Sequence, residues 1–167
     1  PSKALLHLAK VIGDSKALEN SGVTFGDPEL DMDKIRNWKE SVVTKLSNGI
    51  TQLAKVRNVQ VIQGLATFDS PTQLSITSKN SQQTLTFDNC IIGTGSVAGG
   101  ISGFPTDHPR IINSTGALRL QTIPKRLLVI GGGYIGLEMG SVYNALDSQI
   151  TVVEFMPNLL PNANEDL

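Results

Sequence analysis

Apolar and polar positions follow two rhythms along this chain, and each rhythm predicts a kind of element. Residues 3–20 carry Ala4, Leu5, Leu6, Leu8, Ala9, Val11 and Ile12, apolar nearly all round, which predicts a helix buried on several sides. Asn20-Ser21-Gly22 stops it, with Gly22 suited to the left-handed position beyond a helix end. After the Gly26-Asp27-Pro28 loop, Ile35, Trp38, Val42, Leu46, Ile50 and Leu53 mark one face of a long helix that Asp33 is expected to cap. From Val59 the period falls to two. Residues 59–64 and 66–68 read as short strands, and 74–77 and 84–87 as a hairpin around Lys79-Asn80-Ser81. Cys90-Ile91-Ile92 reads as a buried strand running into Gly93-Thr94-Gly95-Ser96.

The Gly- and Pro-rich stretch 97–110 predicts a crossover connection, followed by a short helix at 116–121 capped by Ser114 or Thr115. The apolar run Leu127-Leu128-Val129-Ile130 then breaks into Gly131-Gly132-Gly133-Tyr134-Ile135-Gly136-Leu137-Glu138, a G-x-G-x-x-G in its proper context. The run predicts a fully buried parallel strand. Ile135, Met139, Val142 and Leu146 line one face of the helix that follows, and Ile150–Val153 make the next strand. A dinucleotide needs this order. Gly131 turns the chain tightly out of the strand, Gly133 leaves room for the pyrophosphate, and Gly136 lets the helix pack close to the sheet. The free N–H groups at the helix start receive the phosphate charge. Glu154, 21 positions after Gly133, is placed to accept from the ribose diol. A carboxylate there favours NAD and repels the 2′-phosphate of NADP, and positions 155–160 hold no Arg or Lys to receive that phosphate.

The chain's 167 residues suffice for one domain or parts of two, and a formal net charge of -1 with no basic run argues against nucleic acid or an acidic membrane surface as partner. No apolar stretch approaches the ~20 residues of a membrane span, and no signal peptide is recognisable. A single cysteine, Cys90, excludes an internal disulfide; His7 and His108 lie far apart, so no metal site is expected. These features suggest a soluble intracellular protein. The fold class is α/β in two pieces: residues 1–118 with helices and a β-meander, and 119–167 with the first βαβ unit of a Rossmann-like domain.

Several segments together resemble the dihydrolipoamide dehydrogenases, of the class I pyridine nucleotide-disulfide oxidoreductases. Pro1-Ser2-Lys3-Ala4-Leu5-Leu6-His7 is similar to the stretch that follows the family's redox cysteine pair, and Arg36–Val43 to its middle helix. Phe87–Ser96 resembles its second flavin-binding segment, and Ser114–Leu118 with Gly131–Glu138 extend the match over essentially the whole chain. The resemblance implies that residues 1–118 are the C-terminal portion of an FAD-binding domain and 119–167 the start of an NAD-binding domain. It implies a homodimer in the bacterial cytoplasm or mitochondrial matrix, docking to the lipoamide-bearing acyltransferase of a 2-oxo acid dehydrogenase complex. The reaction implied is oxidation of dihydrolipoamide with hydride passed through FAD to NAD.

Carried over by position, Lys3 resembles the lysine beside the flavin, with Glu138 its partner near the nicotinamide; both support the chemistry electrostatically. Thr94, Gly95 and Ser96 resemble the turn approaching the flavin nucleotide, and Ala66 a backbone contact to its adenine. Tyr134 stands where the family usually has a small aliphatic residue; related glutathione reductases carry a gating tyrosine there, and a gate is expected here. Asp147 and Asn162 replace glycines usual in the family, and Asp and Asn tolerate left-handed backbone angles. The resemblance also implies that the redox cysteines and first flavin glycine motif precede Pro1, and that the His-Glu acid–base pair follows Leu167. No catalytic residue proper is therefore expected in this chain, which on its own should be inactive. The rivals are a mercuric- or glutathione-reductase type of flavoprotein and a non-catalytic binding or antigenic module. Cys90 is expected to be a core residue rather than a reactive thiol.

Overall fold

The computed structural model describes residues 1–101, 103–105, 107–161 and 163. It is α/β and divides into two units, Pro1–Leu46 with Ala98–Leu167, and Ser47–Val97.

The first unit is built around a helix-on-sheet core. Helix α1, Ser2–Ala17, runs into a 3₁₀ turn at Leu18–Ser21 that Gly22 ends in the left-handed region at φ 86°. Leu5 and Ile12 are its buried positions, while Val11 faces outward, so α1 is amphipathic rather than buried all round. Helix α2, Met32–Val56, starts one residue before Asp33. Its cap is Asp31, whose carboxylate accepts from Lys34 N at 3.0 Å, while Asp33 pairs with Arg36 inside the first turn. That Lys34 N–H, and then the Lys34 ammonium, hold the Asp31 carboxyl below its usual range.

Helix α3, Ser114–Arg119, is capped by Asn113 rather than Ser114 or Thr115: its side-chain oxygen accepts from Gly116 N at 3.0 Å. Leu120 follows in the left-handed region at φ 52° and is fully buried, an unusual conformation for a leucine. Side chains from two helices satisfy the carbonyls around it. Tyr143 Oη donates to Ala117 O at 3.0 Å, Lys39 Nζ to Leu118 O at 2.8 Å, and Arg36 Nη1 to Leu120 O at 2.8 Å. Cations near helix C-termini also complement the helix dipole. Lys39, a charged residue in a largely polar stretch of α2, is buried to 4% exposure because the Leu118 carbonyl of α3 receives its ammonium.

Strand β4, Arg126–Ile130, pairs in parallel with β5, Gln149–Val153, and helix α4, Tyr134–Ala145, connects them. Leu5, Ala117, Leu120, Met139, Val142, Tyr143 and Leu146 form the core, flanked by Ile35, Leu127 and Ile150. The α4 face read from spacing holds at Met139, Val142 and Leu146, while Ile135 remains exposed and Tyr143 joins the core. β4 is half-buried rather than fully buried: helices cover one face, leaving Leu128 and Ile130 open on the other. Asp147 takes a left-handed φ of 73° in the turn after α4. Asn162 lies outside the described residues.

In the second unit, β1 (Leu65–Ser70), β2 (Gln73–Thr77) and β3 (Gln82–Thr86) form an antiparallel meander in that order. The expected hairpin is there, with Ser78 N bonded to Ser81 O across its turn at 2.8 Å. Phe68 and Phe87 meet edge to face, centroids 6.2 Å apart. Gly64 precedes β1 with no room for a side chain: a Cβ would lie 2.6 Å from Ile76 Cγ2 and 2.9 Å from Thr77 O. Two expected strands are not formed. Residues 59–64 and 90–92 are irregular, and Ile91 is 96% exposed with Cys90 also exposed. Extended segments become strands only when a neighbour accepts their backbone bonds, and neither has one among the described residues.

Candidate nucleotide-binding site

The β4–α4 junction draws the chain through a tight turn. Gly131 has φ 101°, which an L side chain rarely adopts, and its N–H continues the parallel ladder by donating to Val153 O at 2.8 Å. At Gly132 a Cβ would lie 2.5 Å from Leu159 Cδ2 and 3.2 Å from Glu154 Oε2, so a side chain there would displace the exposed end of Leu159 and crowd the carboxylate. Gly136 is confined by the backbone itself, because its Cβ would collide with the Gly131 carbonyl and meet Val129 Cγ1 at 3.0 Å. That near-contact brings α4 down onto β4.

Gly133 is the N-cap of α4, with open space around its Cβ position and no side chain capping the helix. The first-turn N–H groups of a helix have no partners within it. An uncapped, glycine-lined helix start fits an anion such as a pyrophosphate. Tyr134 is the first helical residue and is 69% exposed; Ile135 is also exposed, and Leu137 N bonds back to Gly133 O.

Glu154 sits at the end of β5, beside this turn. Its Oε2 accepts from Gly132 N at 2.6 Å and its Oε1 from Met156 N at 2.8 Å. These backbone bonds, that from Met156 first and that from Gly132 second, hold its carboxyl below the usual glutamate range. The segment after β5 folds back over the loop, with Leu160 N bonded to Gly132 O at 3.0 Å. Sequence reading missed this flap; the apolar Leu159-Leu160 pair was its only signal. An open cavity of about 500 Å³ lies at the carboxyl ends of the two strands, lined by Ile101, Ile130, Gly131, Val153, Glu154 and Phe155.

Lys3 and Glu138, 135 positions apart, form an ion pair between α1 and α4. The other expected contact residues belong to the second unit. Ala66 is exposed in β1, where it pairs with Ile76. Thr94, Gly95 and Ser96 lie in an exposed irregular segment, with Gly95 at φ 76°. No group of three or more His, Cys, Asp or Glu side chains able to hold a metal occurs among the described residues, and no helix there is long and apolar enough to cross a membrane.

A family model described as pyridine nucleotide-disulphide oxidoreductase matches residues 1–167. Similar relatives include a dihydrolipoyl dehydrogenase of Vibrio cholerae, 45% identical over 167 residues, and one of Haemophilus influenzae, 47% identical over 168 residues. Each match takes in the whole of this chain but only 35% of the relative's length. Among solved structures, a Cu(II) complex of the HOCl-induced flavoprotein disulfide reductase RclA from Escherichia coli superposes with a TM-score of 0.76 at 28% identity. The superposition takes in 99% of this chain and 34% of that one.

Proposed function

The chain belongs to the pyridine nucleotide-disulphide oxidoreductase family, and we propose that it is one stretch of an FAD- and NAD-dependent dihydrolipoamide dehydrogenase. Residues 1–118 would contribute to the flavin domain and 119–167 to the NAD domain. The observation that carries the reading is the β4–loop–α4–β5 unit with the Glu154 carboxylate against Gly132 N at 2.6 Å. When bound, the two cofactors supply hydride and electron transfer between a dithiol and the nicotinamide ring. This chain's residues bind and orient. The amino end of α4 receives the pyrophosphate, Gly133 leaves it room, and Glu154, kept ionised by its backbone donors, accepts from the adenosine ribose diol. The lack of any Arg or Lys at positions 155–160 supports NAD over NADP.

The Lys3–Glu138 pair supports an electrostatic role beside the flavin and nicotinamide. Thr94–Ser96, with Gly95 at φ 76°, and Ala66 are the proposed flavin contacts. Tyr134, exposed at the helix start, is proposed to gate the nicotinamide pocket. The parent protein works as a cytoplasmic homodimer on the lipoamide-bearing acyltransferase of a 2-oxo acid dehydrogenase complex. The 167-residue chain alone is inactive, because it carries one cysteine where the dithiol exchange needs two. The test is dihydrolipoamide oxidation by the full-length flavoprotein, read as nicotinamide reduction with NAD and with NADP. Turnover with NAD and little with NADP is expected. A colourless protein, or a preference for NADP, overturns the reading.

A further inference from the structure

We propose that Ile101, in the irregular segment between β3 and α3, walls the pocket for the adenosine end of the dinucleotide and sets affinity for it. The inference rests on the reading of the β4–α4 loop as an NAD site. Five of the six residues lining the 500 Å³ cavity, Ile130, Gly131, Val153, Glu154 and Phe155, come from the carboxyl ends of β4 and β5 or the residues just beyond. Ligands of open parallel sheets bind at that edge. The sixth, Ile101, comes from a segment with no part in the βαβ unit, presented there by a turn in which Phe104 N donates to Ile101 O at 3.2 Å.

The lining has one polar side chain, the Glu154 carboxylate; the others are aliphatic, aromatic or glycine. That chemistry suits a flat apolar ring joined to a diol, with the hydroxyls toward Glu154 and the ring between Ile101 and Phe155. A phosphate is repelled by the same carboxylate and belongs at the uncapped start of α4. The ligand's direction across the loop follows. Ile101 and Phe155 are exposed in the absence of ligand, so covering them contributes apolar burial to binding.

The test uses the full-length flavoprotein and measures dissociation constants for ADP-ribose and for reduced nicotinamide mononucleotide by calorimetry. Ile101→Ser should weaken ADP-ribose about tenfold, as the loss of one buried aliphatic contact implies, and leave the mononucleotide unchanged. Ile101→Leu should bind ADP-ribose like the parent, and Ile101→Val, which removes one methylene, should show a smaller loss even if the Ser variant fails to fold. Unchanged ADP-ribose binding in both the Ser and Val variants overturns the proposal, as does equal weakening of both probes. Glu154→Ala separates the two levels. If it weakens ADP-ribose and the Ile101 variants do not, only the role of Ile101 falls; if it has no effect, the dinucleotide reading itself falls.

Discussion

Substituting Gly136 by alanine sets two opposed effects against each other. Alanine in place of a helical glycine ordinarily stabilises by up to about 1 kcal/mol, because it restricts the unfolded chain. At Gly136 the added methyl would overlap the Gly131 carbonyl oxygen and press on Val129 Cγ1 at 3.0 Å. The carbonyl has nowhere to go: Gly131 is held at φ 101° and its N–H is bonded to Val153 O at 2.8 Å. Overpacking against a fixed backbone costs about 1–3 kcal/mol or more. The net expectation is destabilisation by about 1–2 kcal/mol, with a loosened glycine loop. Two other helical glycines of the same unit are internal controls. A Cβ at Gly13 in α1 meets nothing within 4 Å, and one at Gly140 in α4 makes ordinary contacts at 3.5 Å with Ile150 and 3.9 Å with Val129. Both should gain about 0.5–1 kcal/mol. Urea denaturation followed by fluorescence of Trp38, the chain's one tryptophan, reads all three. A Gly136→Ala variant as stable as Gly13→Ala would refute the argument that close approach dictates this glycine.

Glu154→Gln should loosen the loop, because an amide has one acceptor oxygen for the two N–H groups of Gly132 and Met156. Hydrogen exchange at one of those amides should accelerate; unchanged protection at both would count against the latch. The folded-state pKa of Glu154 lies below its unfolded value, so its contribution to stability is present above about pH 4.5 and is lost as pH falls through the folded pKa. The Gln variant should lack that acid-limb component. Tyr143→Phe removes the hydroxyl bond to Ala117 O, a carbonyl that keeps a second donor in Leu120 N at 3.2 Å, so the loss should be modest, about 0.5–1 kcal/mol. Burial raises the Tyr143 pKa. Its contribution is therefore complete below about pH 10 and declines as pH rises toward the folded pKa, and the Phe variant should show a shallower alkaline decline in Tm.

The βαβ unit was readable in the sequence because each of its parts carries its own signal. An apolar run, a glycine that needs a positive φ, a helix face and a carboxylate at a set distance are local facts, and β4, Gly131, α4 and Glu154 fall where they imply. Caps were less readable. Asp31 and Asn113 displaced Asp33 and Ser114 or Thr115, since several side chains near a helix start can accept from its N–H groups and the exact entry of the chain selects one. Lys39, Arg36 and Tyr143 around α3 were unreadable for another reason: their partners are backbone carbonyls, which carry no sequence signature. The ion pair of Lys3 with Glu138 came from the family resemblance and not from any pattern spanning 135 positions.

The strands that failed to form have a single physical origin. A helix satisfies its own backbone, so α1, α2 and α4 could be read segment by segment. A strand is a property of two segments, and its apolar alternation states only that a partner would be welcome. Residues 74–77 and 82–86 have each other, and the hairpin forms. Residues 59–64 and 90–92 carry as strong an apolar signal but find no neighbour among the described residues, so Val59, Val61, Ile91 and Ile92 stay exposed. The outer faces of β4 and β5 follow the same logic, with Leu128, Ile130 and Val153 uncovered although parallel sheets are ordinarily buried on both sides. The chain spans 35% of the length of its dihydrolipoyl dehydrogenase relatives. An apolar alternation without a partner leaves exposed apolar surface in place of a strand, which is what Val59, Val61, Ile91 and Ile92 show.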